Sequence, residues 1–489
     1  MKYMRRSDIG SVKRVEIAIQ AYLGKGVYGA ISAIAREYET SRLFVYQLLW
    51  QLMLIFEIEK KGEISKQAQQ RAIDQEILLL RLEGKCSLSA ISEILKQQGL
   101  PNHSIGHISA RLSTFAQAIP KAHSVETKIS FYLSDEIFAN GQPILVTVDP
   151  KSLAILRIEL ASSRDGESWK KHWQALTKAG YFGNEVVVGD MAKGIRKGAA
   201  LMGITHHPDL FHLLQGIAIF ATRFERQAYA AIEQADERLK IFCQAKSPKI
   251  VRKKLKLYNK AEKLSDCAIT LFDNFHYLWQ QLKAAFDLFD REGNFRTPAI
   301  FINEIASIIQ LMQQLHCPAL NKELDSFQRA IMAYQHYFER AADTHQTMVQ
   351  SYGLELVNLV GLAWQYSRQA TNIKNYQAKQ FLTQEAHHYL AWAQSIYPDS
   401  FDDIKTHIFD AFTANVRSSS LVENINSSLR TLINTCRGQV SQDLLNLFAF
   451  VHNHRPFLRG ARLAKSPMEI LSGIPLDKSW LEALLHSVY

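Results

Sequence analysis

Alternating apolar and polar residues, the mark of a β-strand, are confined to one part of this chain, between residues 127 and 190. The runs there are "KISFYLSDEIF", "QPILVTVD" and "LAILRIEL", followed by "GESWKKHWQALTKAG" and then "NEVVVGD". In the third run Leu156, Ile158 and Leu160 alternate with Arg157 and Glu159, the period of a half-buried strand. Asn140–Gly141 and Pro150–Ser152 supply the turns between runs. Trp169, Trp173 and Leu176 recur at helical spacing and give the fourth segment one apolar face. The order strand, strand, strand, helix, strand predicts a mixed sheet with a meander on one side.

The rest of the chain carries helical periodicity. Residues 29–49, "GAISAIAREYETSRLFVYQLL", read as two helices around a polar break at Glu39–Ser41, which is helix-turn-helix spacing. A second pair follows in "CSLSAISEILKQQGLPNHSIGHISARL", broken at Gly99–Asn102. There Ser104, His107 and Arg111 fall on one polar helical face able to reach base edges or phosphates. The second helix of the first pair is unusually apolar for a reading helix and is expected to pack or to dimerise. From about residue 212 to 415 no strand pattern interrupts the helices.

The predicted architecture is therefore mostly α, of the α+β class. A tandem helix-turn-helix region spans 1–120. A catalytic domain with a ribonuclease-H-like sheet begins over 121–220 and ends, with a C-terminal tail, over 416–489. An all-helical block occupies 221–415, between the two parts of that domain.

The formal net charge is +10 and the pI about 9.1, a balance that favours a polyanionic partner. Five cysteines, scattered and without a CxxC, argue against a disulfide framework or a zinc site and suit a reducing cytoplasm. The N-terminus has no apolar signal core, and the most apolar run, 43–56, is too short to span a membrane. Residues 246–263 hold eight Lys or Arg against one Glu, with Lys253, Lys254 and Lys256 at the centre. Such a stretch can neutralise several phosphates, or serve only as a solvated helix face.

A sheet of the predicted kind carries one carboxylate on its first strand and a second at the end of its fourth, and those strands are neighbours. Two aspartates compete for the first position. Were Asp149 on the first strand, only one strand would remain before the helix at 167; with Asp135 there, the meander is complete. The count favours Asp135 and leaves Asp149 at a turn before Pro150. Asp190 ends the fourth strand, where it serves either as a ligand or as a helix cap. The third acid must come from a later helix, and Glu423 in "SSSLVENINSSLR" is the candidate, with Asn426 and Arg430 on its face. Three such carboxylates would hold two Mg²⁺ ions, or Mn²⁺, about 4 Å apart for in-line displacement at phosphorus.

"DEIFANGQPILVTVDPKSLAIL", "VVVGD", "LVENINSSLR" and "NHRPFLRGARLAKSPMEIL" together resemble DDE transposases of bacterial insertion sequences. The resemblance covers roughly residues 127–220 and 416–475. It implies that Asp135, Asp190 and Glu423 are the catalytic, metal-holding acids. The long gap between Asp190 and Glu423 is similar to that of the hAT and Mutator-like groups, which place a helical insertion there. Those groups also carry a Cys/Asp-x-x-His motif; "DLFH" supplies Asp209 and His212, which implies a supporting role near the site. In integrase-like members an Arg stands four residues before the glutamate, where this chain has Ser419.

The expected function is a Mg²⁺-dependent transposase that binds double-stranded DNA at element ends, cleaves to expose a 3′ end and joins it to target DNA. It would act in the cytoplasm at the nucleoid, as a homodimer or larger assembly, since two ends must be held together. Two rivals are a catalytically inactive, transposase-derived DNA-binding protein and a ribonuclease-H-like nuclease.

Overall fold

A computed structural model describes residues 8–55, 66–119, 127–183, 186–460 and 462–489. The expected boundary at 120/121 lies outside the described residues. The protein is mostly helical with a small mixed sheet. It divides into two compact units, 1–76 and 77–489.

In the first unit, α1 (Ser11–Leu23), α2 (Ala30–Glu37) and α3 (Arg42–Ile55) pack around Ile17, Ile34, Val45, Leu49 and Met53. The α2–α3 break falls at Glu39, which takes a left-handed backbone (φ 45°), and the Ser41 hydroxyl accepts the Phe44 N–H at 3.2 Å. α3 is largely apolar, with Arg42, Gln47 and Gln51 as its polar residues. Val45, Leu48, Leu49 and Met53 are buried, while Leu43, Tyr46, Trp50 and Leu54 form an exposed stripe along the other side.

α4 (Lys66–Leu78), in whose last turn the second unit begins at Ile77, leads into a π-helical turn at Leu79–Glu83. α5 (Leu88–Gln97) and α6 (Ile105–Ala118) follow, each capped by a serine, Ser87 and Ser104. The strands are β1 (Thr127–Lys128), β2 (Phe131–Ala139), β3 (Gln142–Val148) and β4 (Ile155–Leu160), then α7 (Gly166–Lys178), β5 (Tyr181–Phe182), β6 (Val186–Gly189), α8 (Lys193–Met202) and β7 (Thr205–Pro208). Seven helices come next: α9 (Leu210–Cys243), α10 (Pro248–Ala284), α11 (Pro298–Gln313), α12 (Pro318–Tyr352), α13 (Leu354–Asn372), α14 (Tyr376–Ile396) and α15 (Phe401–Thr413). The chain ends with α16 (Ser420–Thr435), α17 (Gln442–His454), α18 (Pro467–Ser472) and α19 (Trp480–Val488).

Five strands form the main sheet in the order β4-β3-β2-β6-β7. β2, β3 and β4 are an antiparallel meander, whereas β6 and β7 run parallel to β2. The two-residue strands β1 and β5 pair separately. The two faces of the main sheet are buried differently, as alternation requires. Leu133 and Ile137 of β2 pack against Val422, Ile425, Leu429 and Ile433 of α16. Tyr132, one residue out of phase, packs with Trp169, Trp173 and Ile195 of α7 and α8. On that second face the Trp173 indole N–H donates to Ser134 at 3.2 Å, and the Ser134 and Thr147 hydroxyls meet at 2.9 Å.

α9 to α15 build a core of their own, rich in Phe and Tyr, around Phe286, Phe301, Tyr334 and Phe338. α9 and α10 pair along their lengths as a long helical hairpin. Among the described residues no helix is long and apolar enough to cross a membrane.

Candidate carboxylate site

The register of β2 against β6 brings two aspartates level. Phe131 lies beside Val186 and Leu133 beside Val188 in a parallel pair. Asp135 and Asp190 each follow four residues after the first of these matched positions, so they stand side by side where β6 ends. Gly189 permits this approach. A Cβ at Gly189 would meet the Ser134 carbonyl oxygen at 2.8 Å, with backbone rather than a yielding side chain in the way. Gly189→Ala is therefore expected to push β6 from β2 and to lower stability by about 1–3 kcal/mol. Urea unfolding checks this; an unchanged midpoint would contradict the close approach.

Asp135 shares the β2 face of Leu133 and Ile137, toward α16, and it is held at both oxygens. Oδ1 accepts the Glu136 N–H at 2.8 Å and Oδ2 accepts the Asn426 amide Nδ2–H at 2.7 Å. Its neighbour Glu136 points to the opposite face and pairs with Arg164. Burial pushes the Asp135 carboxyl up from 3.8 to about 6; the Glu136 N–H opposes this, the negative charges of Asp190 and Glu423 add to it, and His212 opposes it. Asp190, Glu423, Asn426 and His212 thus surround one half-buried acid, Asp135.

Asp190 does not cap α8, whose N-cap is Ala192 with no side-chain bond. Instead its Oδ1 accepts the Ala192 N–H at 2.9 Å in a tight turn, and its carbonyl accepts from His206 Nε2 at 2.9 Å. Glu423 lies in the first turn of α16, half exposed, with Arg430 Nη1 at 3.3 Å from its Oε2. Asn426, one turn on, is fully buried.

Asp209 organises the site from behind. It is buried, and its N–H donates to the Gly189 carbonyl at 2.8 Å. Its Oδ1 caps α9, accepting the N–H groups of Phe211 at 2.7 Å and His212 at 3.2 Å. Its Oδ2 accepts the N–H of Ser419, the Ser419 hydroxyl at 2.6 Å and the Ser418 hydroxyl at 3.2 Å. A single carboxylate therefore joins the N-termini of α9 and α16, where helix dipoles favour negative charge. It fixes the helix bearing Glu423 and Asn426 against the end of β6. Ser419, where an Arg stands in the integrase-like pattern, is engaged in this clamp. His212 also lines a cleft of about 450 Å³ with Met191, Arg196, Phe327 and Arg329.

Asp149 is committed elsewhere. It is buried in the β3–β4 turn, where its Oδ2 accepts the Ser152 N–H at 2.7 Å and the Ser152 hydroxyl at 2.5 Å.

The residues expected to contact DNA lie apart from these acids. Ser104 caps α6, its hydroxyl accepting the His107 N–H at 3.2 Å, and His107 Nε2 is buried without a hydrogen-bond partner. The Arg111 guanidinium lies over the Phe115 ring at 5.5 Å and bonds the Tyr489 hydroxyl at 3.4 Å, on the side where α6 meets α19. On α10, Lys253 and Lys256 are exposed and Lys254 is half-buried. Trp279 and Trp364 are core residues, while Trp392 is 47% exposed.

The donors around Asp135 are hard oxygens, the chemistry that suits Mg²⁺ or Mn²⁺. Two observations fit a cation there: the negative charges of Asp190 and Glu423 lie close to the half-buried Asp135, and the Asn426 Oδ1 beside it is buried without a partner. Among the described residues, no group of three or more His, Cys, Asp or Glu is drawn together closely enough to hold a metal as it stands.

The raised acid has a consequence for stability. Because the folded state binds the Asp135 proton more tightly than the unfolded chain does, stability falls as pH rises from about 4 to about 6 and stays lowered above. Asp135→Asn is expected to stabilise the metal-free protein at pH 7.5 by on the order of 1–2 kcal/mol, seen as a higher melting temperature, and to have little effect at pH 4. Thermal melts at the two pH values test this; equal effects at both would contradict it.

No protein-family model matches this chain, and no curated protein matches it.

Proposed function

We propose that the chain is a DDE-type DNA transposase, with Asp135, Asp190 and Glu423 as its catalytic acids. The observation that carries the reading is the level pair Asp135 and Asp190 on adjacent parallel strands, with α16 bringing Glu423 and Asn426 to the same face. The strand order β4-β3-β2-β6-β7, antiparallel then parallel, is the order of a ribonuclease-H-like sheet and supports the same reading. So does the position of α9–α15, an all-helical block between the second and third acids.

Asp135, Asp190 and Glu423 would hold Mg²⁺ or Mn²⁺, which when bound activates the attacking water or 3′-hydroxyl and stabilises the leaving oxygen. The chain's own residues do the positioning. Asn426 holds Asp135 through Oδ2. The Asp209 clamp keeps α16 on the sheet, so that Glu423 faces the two aspartates rather than solvent alone. Arg430 balances the Glu423 charge until substrate binds. Arg196 and Arg329, in the cleft beside His212, offer positive charge next to the acids for a phosphate backbone.

DNA is the partner favoured by the +10 charge and by the basic stretch of α10. Joining two ends calls for two such sites. The uncharged α3 stripe Leu43, Tyr46, Trp50 and Leu54 would let two copies meet without burying a charge. A cytoplasmic, nucleoid-associated location follows from this reading.

Selecting duplexes from a random pool with the full chain, then adding Mg²⁺, tests the function. A specific duplex nicked at one 3′ position supports a transposase; sequence-independent degradation supports the nuclease rival. In the same binding assay, replacing Lys253, Lys254 and Lys256 with Ala is expected to reduce the slope of log affinity against log salt by about 2 to 3. An unchanged slope would remove α10 from the DNA path and leave the acids untouched.

A further inference from the structure

Asn426 interrupts the apolar face that α16 presents to the sheet. Val422, Ile425 and Leu429 around it are buried hydrophobics, and Asn426 itself is fully buried among them. Its Nδ2 donates to Asp135 Oδ2 at 2.7 Å. An ionised carboxylate only accepts hydrogen bonds, so the NH₂ end of the amide must face Asp135. The other end, Oδ1, is then left buried with no hydrogen-bond partner. A bare buried acceptor is destabilising, and a leucine of similar size at this position would avoid that cost. The two ends of one amide thus meet opposite needs: one holds the acid, and the other is an uncommitted hard oxygen beside it.

We propose that Asn426 is a fourth oxygen donor of the carboxylate site, its Oδ1 serving the divalent cation directly or through a cation-bound water. This deepens the transposase reading and rests on it. The chemistry is suited to the place. Amide oxygens are ordinary ligands of hard divalent cations. A neutral amide adds an oxygen without adding a fourth negative charge to Asp135, Asp190 and Glu423. A carboxylate in its place would put two anions at hydrogen-bond distance in the metal-free protein. Asn426 also links the two parts of the site, since it reaches the sheet acid from the helix that carries Glu423.

A Mn²⁺ titration of the full chain at pH 7.5, read by the electron paramagnetic resonance of free Mn²⁺, tests the assignment. Asn426→Ala is expected to weaken Mn²⁺ binding about 10- to 100-fold, the range for groups that support a metal site. Asn426→Leu keeps the volume and should show the same loss in a stably folded protein, which covers the case in which the alanine variant unfolds. Asn426→Asp separates ligand from mere support. It keeps an oxygen but loses the donor to Asp135, so it should bind Mn²⁺ at least as tightly as the parent chain. Loss in the aspartate variant equal to that in the alanine variant would reduce Asn426 to a positioning role and overturn the proposal. Unchanged affinity in a folded leucine variant would overturn it too. If the parent chain bound no Mn²⁺, or if Asp135→Asn left its binding intact, the cation site would fail, and the proposed function with it.

Discussion

Asp209→Ala is expected to lower the stability of the chain by on the order of 2–4 kcal/mol in urea unfolding. Five donors converge on this buried carboxylate: the N–H groups of Phe211, His212 and Ser419 and the hydroxyls of Ser418 and Ser419. Truncation strips the cap from α9, at about 1 kcal/mol. It also leaves the buried Ser419 N–H without an acceptor, at about 1–3 kcal/mol. Asp209→Asn should recover only the cap on α9, because its amide oxygen can replace Oδ1 but its NH₂ cannot accept the Ser419 N–H. The effect reaches the site, since α16 would lose its anchor to β6 and carry Glu423 and Asn426 with it. Mn²⁺ affinity should therefore fall in the same variant. A loss of stability below about 1 kcal/mol would show that the α16 apolar face alone holds the helix in place.

Asp135→Asn, Asp190→Asn and Glu423→Gln should each reduce strand cleavage about a thousand-fold, the rate equivalent of roughly 4 kcal/mol of lost transition-state stabilisation. DNA affinity should change little, because none of the three replacements touches the expected DNA-contacting residues. Asp149→Asn should keep cleavage, since Asp149 spends its carboxylate on Ser152 in the β3–β4 turn. Gel assays of cleavage and binding on the selected duplex separate the two effects. An inactive Asp149→Asn beside an active Asp135→Asn would reverse the choice of first acid.

Much of the sheet was legible because its strands carry their own signals. Alternation marked β2, β3 and β4, and the apolar "VVV" marked β6. β7 was missed because "THHP" has no apolar alternation. It is a strand through its pairing with β6, His206 beside Val187 and His207 beside Val188. At the site, the strand count pointed to Asp135 over Asp149, but not to the level register with Asp190, which pairing alone reveals.

The spacing "DLFH" drew attention to Asp209, yet its clamp is closed by Ser418 and Ser419, more than 200 residues away. Helical spacing put Asn426 on the face of Glu423. The buried stripe of Val422, Ile425 and Leu429 could have shown that Asn426 lies within the inward face and Glu423 at its half-exposed edge. On the polar face of α6 only Ser104 is exposed, while His107 and Arg111 are half-buried, and local sequence cannot announce that Arg111 meets Tyr489 at the far end of the chain. Gly189 carried no signal beyond being a glycine. Its need for a missing Cβ appears only when Ser134 lies against it.

The most direct test of the central claim is strand transfer. A duplex selected by the full chain, supplied already cut to expose its 3′-hydroxyl, is mixed with supercoiled plasmid, Mn²⁺ and protein at pH 7.5, and covalent joining of the labelled end to the plasmid is measured. The account predicts joined product with the parent chain and none with Asp135→Asn, Asp190→Asn or Glu423→Gln. Degradation of both DNAs without joining, or joining that survives Asp135→Asn, would contradict it.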